Sequence, residues 1–266
     1  MTALVRRHRL VAFFLLTFVL SWWAWPLQAV GLAPVAHWSC GPLLAALIVA
    51  GIADGRAGYR DLGARLVRWR VGAGPWAFAI VVPLLVLAVA VALNIAVWGA
   101  PAPDLARIAW GDLALVAAVR LVNPLDGPMG EEPGFRGYAL PWLQVTRTPL
   151  TAALVLGPIV ALWHLPLVVT GQLAPVGLPV TVVITVVYVW LFDRARGSVL
   201  LTLVFHVLQG TVGYAVLGLT GADAARMDLL TGALWTVLAV GLALDPRMRR
   251  AAPDEATVTR LAARTG

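Results

Sequence analysis

Hydrophobic residues in this chain fall into long blocks separated by short polar stretches, with no strand-like alternation. The apolar runs cover roughly 10–31, 38–53, 75–99, 111–143, 150–171, 176–192, 198–219 and 228–244. Most reach or exceed the ~20 residues a helix needs to cross a ~30 Å hydrocarbon core. The second and the last sit near the short limit, and the run at 111–143 is long and internally broken. The pattern predicts an all-α fold: a polytopic transmembrane helical bundle of about eight spans. Residues 1–245 then form a single integral membrane domain, followed by a polar cytoplasmic tail over 246–266.

Composition agrees, with 61% hydrophobic and 12% charged residues, where soluble domains carry about a quarter charged. All twenty cationic residues are arginine. Arg6, Arg7 and Arg9 precede the first span, and Arg56, Arg60, Arg65, Arg68 and Arg70 lie between the second and third. Arg147, then Arg194 and Arg196, then Arg247, Arg249 and Arg250 mark later alternate boundaries. The intervening connections 32–37 and 172–175 carry no charge, and 100–110 and 220–227 hold one arginine each. This is a positive-inside pattern with both termini cytoplasmic. Because the arginines track topology, the basic balance gives no reason to expect a nucleic-acid partner; the partner it implies is membrane lipid.

Cys40 is the only cysteine, which excludes an intrachain disulfide and a thiolate metal cluster. The N-terminal order, arginines followed by LVAFFLLTFVLSWWAW, resembles a signal sequence, but the run is too long for an ordinary signal core and reads as a retained span. Trp22, Trp23 and Trp25 fit an interfacial belt. In 55–72, Leu62, Leu66 and Trp69 recur at helical spacing among arginines, which suits a short helix lying in the interface or an ordinary charged loop.

The chemistry concentrates in GPMGEEPGFRGYALPWLQ, residues 127–144. The chain has only three glutamates, and two of them, Glu131 and Glu132, are adjacent here. A charge at membrane depth costs at least ~2.5–3.5 kcal/mol, so it needs a partner or a water-filled cavity. Adjacent helical residues point about 100° apart, so the two carboxylates have different tasks. Glu132 and Arg136 stand at the ion-pair spacing i, i+4, which leaves Glu131 as the candidate base. Pro133 lacks an N–H and predicts a kink, while Gly130, Gly134 and Gly137 allow close helix packing. His164 and His206 lie within other apolar runs. Taken alone, either fits a packing histidine bonded to a backbone carbonyl; beside a glutamate pair, both become site candidates. His8 and His37 receive no role.

E-E-x-x-x-R at 131–136, followed by a histidine on each of two later helices, resembles the CAAX-protease and bacteriocin-processing (Abi) family of intramembrane endopeptidases. The resemblance covers roughly 110–215. VALWH places His164 in the second motif with Val160 where the family has Phe. FHVLQG supplies His206 but has Gly210 where the family has Asn or Asp, and Gln209 is the neighbouring side chain long enough to lean toward the site. The resemblance implies peptide hydrolysis near the cytoplasmic side of the membrane. In it Glu131 accepts a proton from water, His164 orients that water, His206 stabilises the oxyanion, and Arg136 holds Glu132. It also leaves open a divalent metal such as zinc on Glu131, His164 and His206, since two histidines and a glutamate suffice for a catalytic zinc site. The expected substrate is a peptide or a lipidated protein. Two alternatives stand beside this reading: a non-catalytic immunity or regulatory partner of the same fold, which Gly210 favours, and a small proton-coupled transporter.

Overall fold

The structure, a computed structural model, describes residues 2–250; the expected tail beyond Arg250 lies outside the described residues. The regular elements among these residues are all helical. They begin with α1 (Thr2–Arg7), α2 (Arg9–Trp22), α3 (Ala24–Ala29), α4 (Gly41–Asp54), α5 (Arg56–Leu66) and α6 (Ala73–Trp98). Next come α7 (Trp110–Val122), α8 (Pro128–Glu132), a π-helical segment (Pro133–Ala139) and α9 (Leu140–Gln144). The chain continues through α10 (Pro149–Trp163), α11 (Leu165–Val169), α12 (Gly177–Arg194), α13 (Val199–Thr211) and α14 (Gly221–Ala243), with short 3₁₀ turns after α13 and α14.

Four stretches are long and apolar enough to cross a bilayer: Arg9–Ala29, Ala73–Trp98, Gly177–Arg194 and Gly221–Ala243. Three more apolar helices, α4, α10 and α13, are shorter. The exposed side chains of these helices are themselves apolar: Leu15, Val19, Leu85, Leu154, Val237 and Val240 all face outward. In water such a belt would be an aggregation surface; in lipid it is the expected exterior, and it marks a membrane protein.

Hydrogen bonds and ion pairs show which connections share an end of the bundle. At one end Arg9 pairs with Asp54 at 3.1 Å, both nearly buried, and its guanidinium stacks 3.6 Å over the Trp142 ring. Nearby, Arg6 donates to the Ala53 carbonyl (2.9 Å), Ser198 to the Arg68 carbonyl (2.6 Å), and Arg194 pairs with Asp245 (3.2 Å). The arginine-rich connections therefore gather at one end. At the opposite end Asn94 donates to the Asp223 carbonyl (3.1 Å) and accepts from Arg226 (3.0 Å), tying α6 to the start of α14.

Helix α5 shows that this segment is a helix as far as Leu66 and not a plain loop. Leu62 is buried against the bundle, while Trp69 lies beyond the helix end and is exposed. The glycines of the 127–144 stretch act through packing, as their spacing predicts. A Cβ on Gly130 would fall onto the Ser39 and Pro124 carbonyl oxygens, and one on Gly134 onto the Pro42 backbone. A Cβ on Gly137 would stand 2.8 Å from a Leu62 methyl. Helix α4 and its approach can press against the glutamate-bearing segment only because these positions have no side chain.

Candidate active site

The glutamate-bearing segment starts after a break in the chain. Expectation placed the bend at Pro133; the break lies instead at residues 123–127, between α7 and α8, and closes with Gly127 at φ +49°. At Pro133 the helix axis continues, but as a wide π turn through Ala139. Proline has no N–H to return to the preceding turn, and a π segment absorbs that loss; such segments recur at functional sites. Every residue from Gly130 to Leu140 is buried.

Glu132 is fully buried, and its Oε1 accepts two hydrogen bonds: from Arg136 Nη1 at 3.1 Å and from His206 Nδ1 at 2.9 Å. The Arg136 guanidinium also lies 4.1 Å over the Tyr188 ring, and Tyr188 meets His206 edge-on at 5.7 Å. The i, i+4 pairing holds as expected, but Glu132 does more than neutralise Arg136. A carboxylate can only accept, so the His206 Nδ1 carries the hydrogen, and Nε2 is the ring nitrogen left unengaged.

His164 is not in mid-helix. It caps α10, its backbone N–H shared between the Val160 and Ala161 carbonyls before the chain turns into α11 at Pro166. Its Nδ1 donates to the Val160 carbonyl at 2.8 Å. A carbonyl cannot donate, so this bond fixes the tautomer and leaves Nε2, which stands 3.9 Å from Glu131 Oε2. Behind the ring, Trp163 is completely buried and its carbonyl accepts from Trp22 Nε1 at 3.0 Å. His37, given no role from sequence, packs edge-on against Trp163 at 4.1 Å and lies parallel to His164 at 6.3 Å. Burial, then the neighbouring His164, push His37 down to about 3.

Four of the five expected residues, Glu131, Arg136, His164 and His206, line one cavity of about 300 Å³. Glu132 sits behind it, reaching the site through Arg136 and His206. Gln209 lines the cavity, as its position beside Gly210 suggested, and Thr181, Thr185, Tyr188, Tyr214, Asp228 and Thr231 complete the polar part of the wall. Leu173, Ala174, Val176, Val212 and Tyr214, from the connections after α11 and α13, also line it. These connections belong to the arginine-poor end. Relative to the connections, the cavity is walled toward the end opposite the arginine-rich ones. Helix α10 starts at the connection that carries Arg147 and His164 closes its far end, while His206 stands near the middle of α13.

The sequence reading missed Arg120, in the last turn of α7. Its Nη1 donates to the Gly210 carbonyl at 2.5 Å, and its Nε lies 3.4 Å from Asp126. A Cβ on Gly210 would stand 3.2 Å from Nη1 and 3.4 Å from Nη2. The guanidinium thus occupies the place of a side chain at 210. An isolated arginine inside an apolar run was the available signal.

The metal expectation can be tested on the donor set. Among the described residues no three His, Cys, Asp or Glu side chains come together at a spacing that holds a metal ion. His164 and His206 both keep Nε2 free for a ligand, but the described residues bring no three such side chains to a common point, so no step below is routed through a metal. What the arrangement offers is a carboxylate and an imidazole nitrogen facing each other across a gap, with a second, carboxylate-anchored imidazole on the same cavity.

No curated protein matches the chain. Residues 109–212, which carry Glu131, Glu132, Arg136, His164 and His206, match the family model of the Rce1-like type II CAAX prenyl endopeptidases, a family of intramembrane proteases.

Proposed function

We propose that the protein is a multi-pass membrane endopeptidase in which Glu131 and His164 together activate water. The observation that carries this reading is the 3.9 Å gap between Glu131 Oε2 and His164 Nε2, with the His164 tautomer locked by Val160. The gap is too long for a direct hydrogen bond and is bridged well by one water. That water's oxygen attacks the scissile carbonyl carbon as its proton passes to Glu131. The carbonyl oxygen takes the negative charge, and His206, when its ring carries a hydrogen on both nitrogens, donates to it from Nε2 while Nδ1 stays on Glu132. Collapse breaks the C–N bond, and the proton held on Glu131 goes to the departing amine. Glu132 and Arg136 do not touch the substrate; they hold His206 in position.

The substrate is a peptide or a lipidated protein held against membrane lipid. With both termini cytoplasmic, the arginine-poor mouth of the cavity faces the other side, so the scissile bond enters from the extracytoplasmic half. The bare Gly210 favours a second reading, a non-catalytic relative of the same fold. Both are tested by incubating purified protein with membrane-tethered peptides. Cleavage that disappears in Glu131→Gln supports the enzyme, and a wild-type protein that cleaves none of a broad panel supports the relative.

A further inference from the structure

Resting on the endopeptidase reading, we infer that Arg120 is a catalytic residue of this chain: the cationic donor that joins His206 in stabilising the oxyanion. His206 and Gly210 are four residues apart on α13, so they share a helix face about one turn apart. The Arg120 guanidinium fills the side-chain space at Gly210 and therefore stands beside His206 on that face. A second glycine completes the seat. The Cβ position of Gly127 is 3.4 Å from Glu131 Oε1 and 3.7 Å from Arg120 Nη2. The two atoms are thus within about 7 Å of each other across a position without a side chain. No direct ion pair joins the two residues among the described contacts.

A substrate carbonyl held at Nε2 of His206 would lie near both the base and the cation, as a hydrolytic site requires. Arg120 reaches the spot from α7, on the far side of the 123–127 break from Glu131. The break lets one run of sequence supply both the base and an electrophilic donor. One bond, Nη1 to the Gly210 carbonyl, also satisfies an orphan carbonyl in the last turn of α13. A capping role alone would explain that bond but not the placement of Nη2 between Gly127 and Gly210.

The test exchanges the donor between positions. Arg120→Ala is expected to lower kcat by about a hundredfold, the usual loss of one oxyanion donor, with little change in KM; Arg120→Lys keeps part of the rate. Gly210→Asn alone is expected to lower the rate, because its side chain meets the guanidinium. In the Arg120→Ala background the same Gly210→Asn change has room and supplies an amide, so kcat rises at least about tenfold over Arg120→Ala alone. A cap lost from α13 would appear as a lower melting temperature that Gly210→Asn does not relieve. The inference is overturned if Arg120→Ala cleaves at the wild-type rate, or if the double variant is no faster than Arg120→Ala. If wild-type protein cleaves nothing, the endopeptidase reading falls first and takes this inference with it.

Discussion

Replacing Glu132 with Gln separates support from chemistry. The carboxylate is fully buried and Arg136 is only 3% exposed, so solvent screens their interaction little. Removing one member of such a pair leaves an uncompensated buried charge and costs about 3–5 kcal/mol. Here the Tyr188 ring under the guanidinium retains about 1 kcal/mol, and the new amide oxygen can still accept from Arg136 and His206. A loss of about 3 kcal/mol is therefore expected for Glu132→Gln. Arg136→Met should cost a similar amount, because it leaves the carboxylate buried with His206 alone. The double variant should recover part of the loss, with a coupling energy of about 1–3 kcal/mol. The assay is unfolding of all four proteins in one detergent, read as a double-mutant cycle. Cleavage cannot replace it, since Glu132→Gln also loosens His206 and should reduce activity for that separate reason. Additivity within about 0.5 kcal/mol would refute the pair. Both carboxylates would then belong to the reacting centre.

Gly134→Ala should destabilise the fold by about 1–3 kcal/mol or more, because its methyl falls on the Pro42 backbone and forces α4 away; an unchanged melting temperature would contradict the close packing. His37 is held neutral, with its folded value near 3 and its unfolded value near 6.5. The unfolded chain binds the proton more readily, so His37 contributes stability above about pH 6.5 that drains away as pH falls toward 3. A His37→Phe variant should lose that part of the acid sensitivity, and an identical stability–pH curve would refute it. Reporter fusions at Arg68 and Ala222 should lie on opposite sides of the membrane, and a cysteine at Thr231 in Cys40→Ala protein should label from the Ala222 side. Labelling from the Arg68 side would overturn the extracytoplasmic mouth.

What the sequence disclosed was mostly local. The Glu132–Arg136 pair follows from i, i+4 spacing and survives even in a π segment, because both residues stay on one face. The packing glycines are likewise readable, since a helix rich in glycine within an apolar run has few other purposes. The break at 123–127 was also marked, by Asn123-Pro124 and Asp126-Gly127, which are stronger turn signals than a lone Pro133. Three features had no local mark. The bond from His206 to Glu132 joins residues 74 apart. The Val160 contribution is a backbone carbonyl, which any residue there would supply. The side of the cavity depends on where along α10 and α13 the histidines fall once the ends of those helices are known, and run boundaries drawn from hydropathy blur those ends by several residues. The resemblance to a family singled out residues that the fold gathers around one cavity, but not the arginine that seats itself over Gly210.

The central claim is that Glu131 takes a proton from a water that then attacks a peptide bond. The most direct measurement is mass spectrometry of a membrane-tethered peptide after incubation with wild-type and Glu131→Gln protein in oxygen-labelled water. The account predicts two fragments from the wild type whose masses together exceed the substrate by one water, with the label in the new carboxyl terminus. It predicts none from Glu131→Gln, whose melting temperature stays at the wild-type value. Cleavage by Glu131→Gln at the wild-type rate, or fragments without the label, would contradict it.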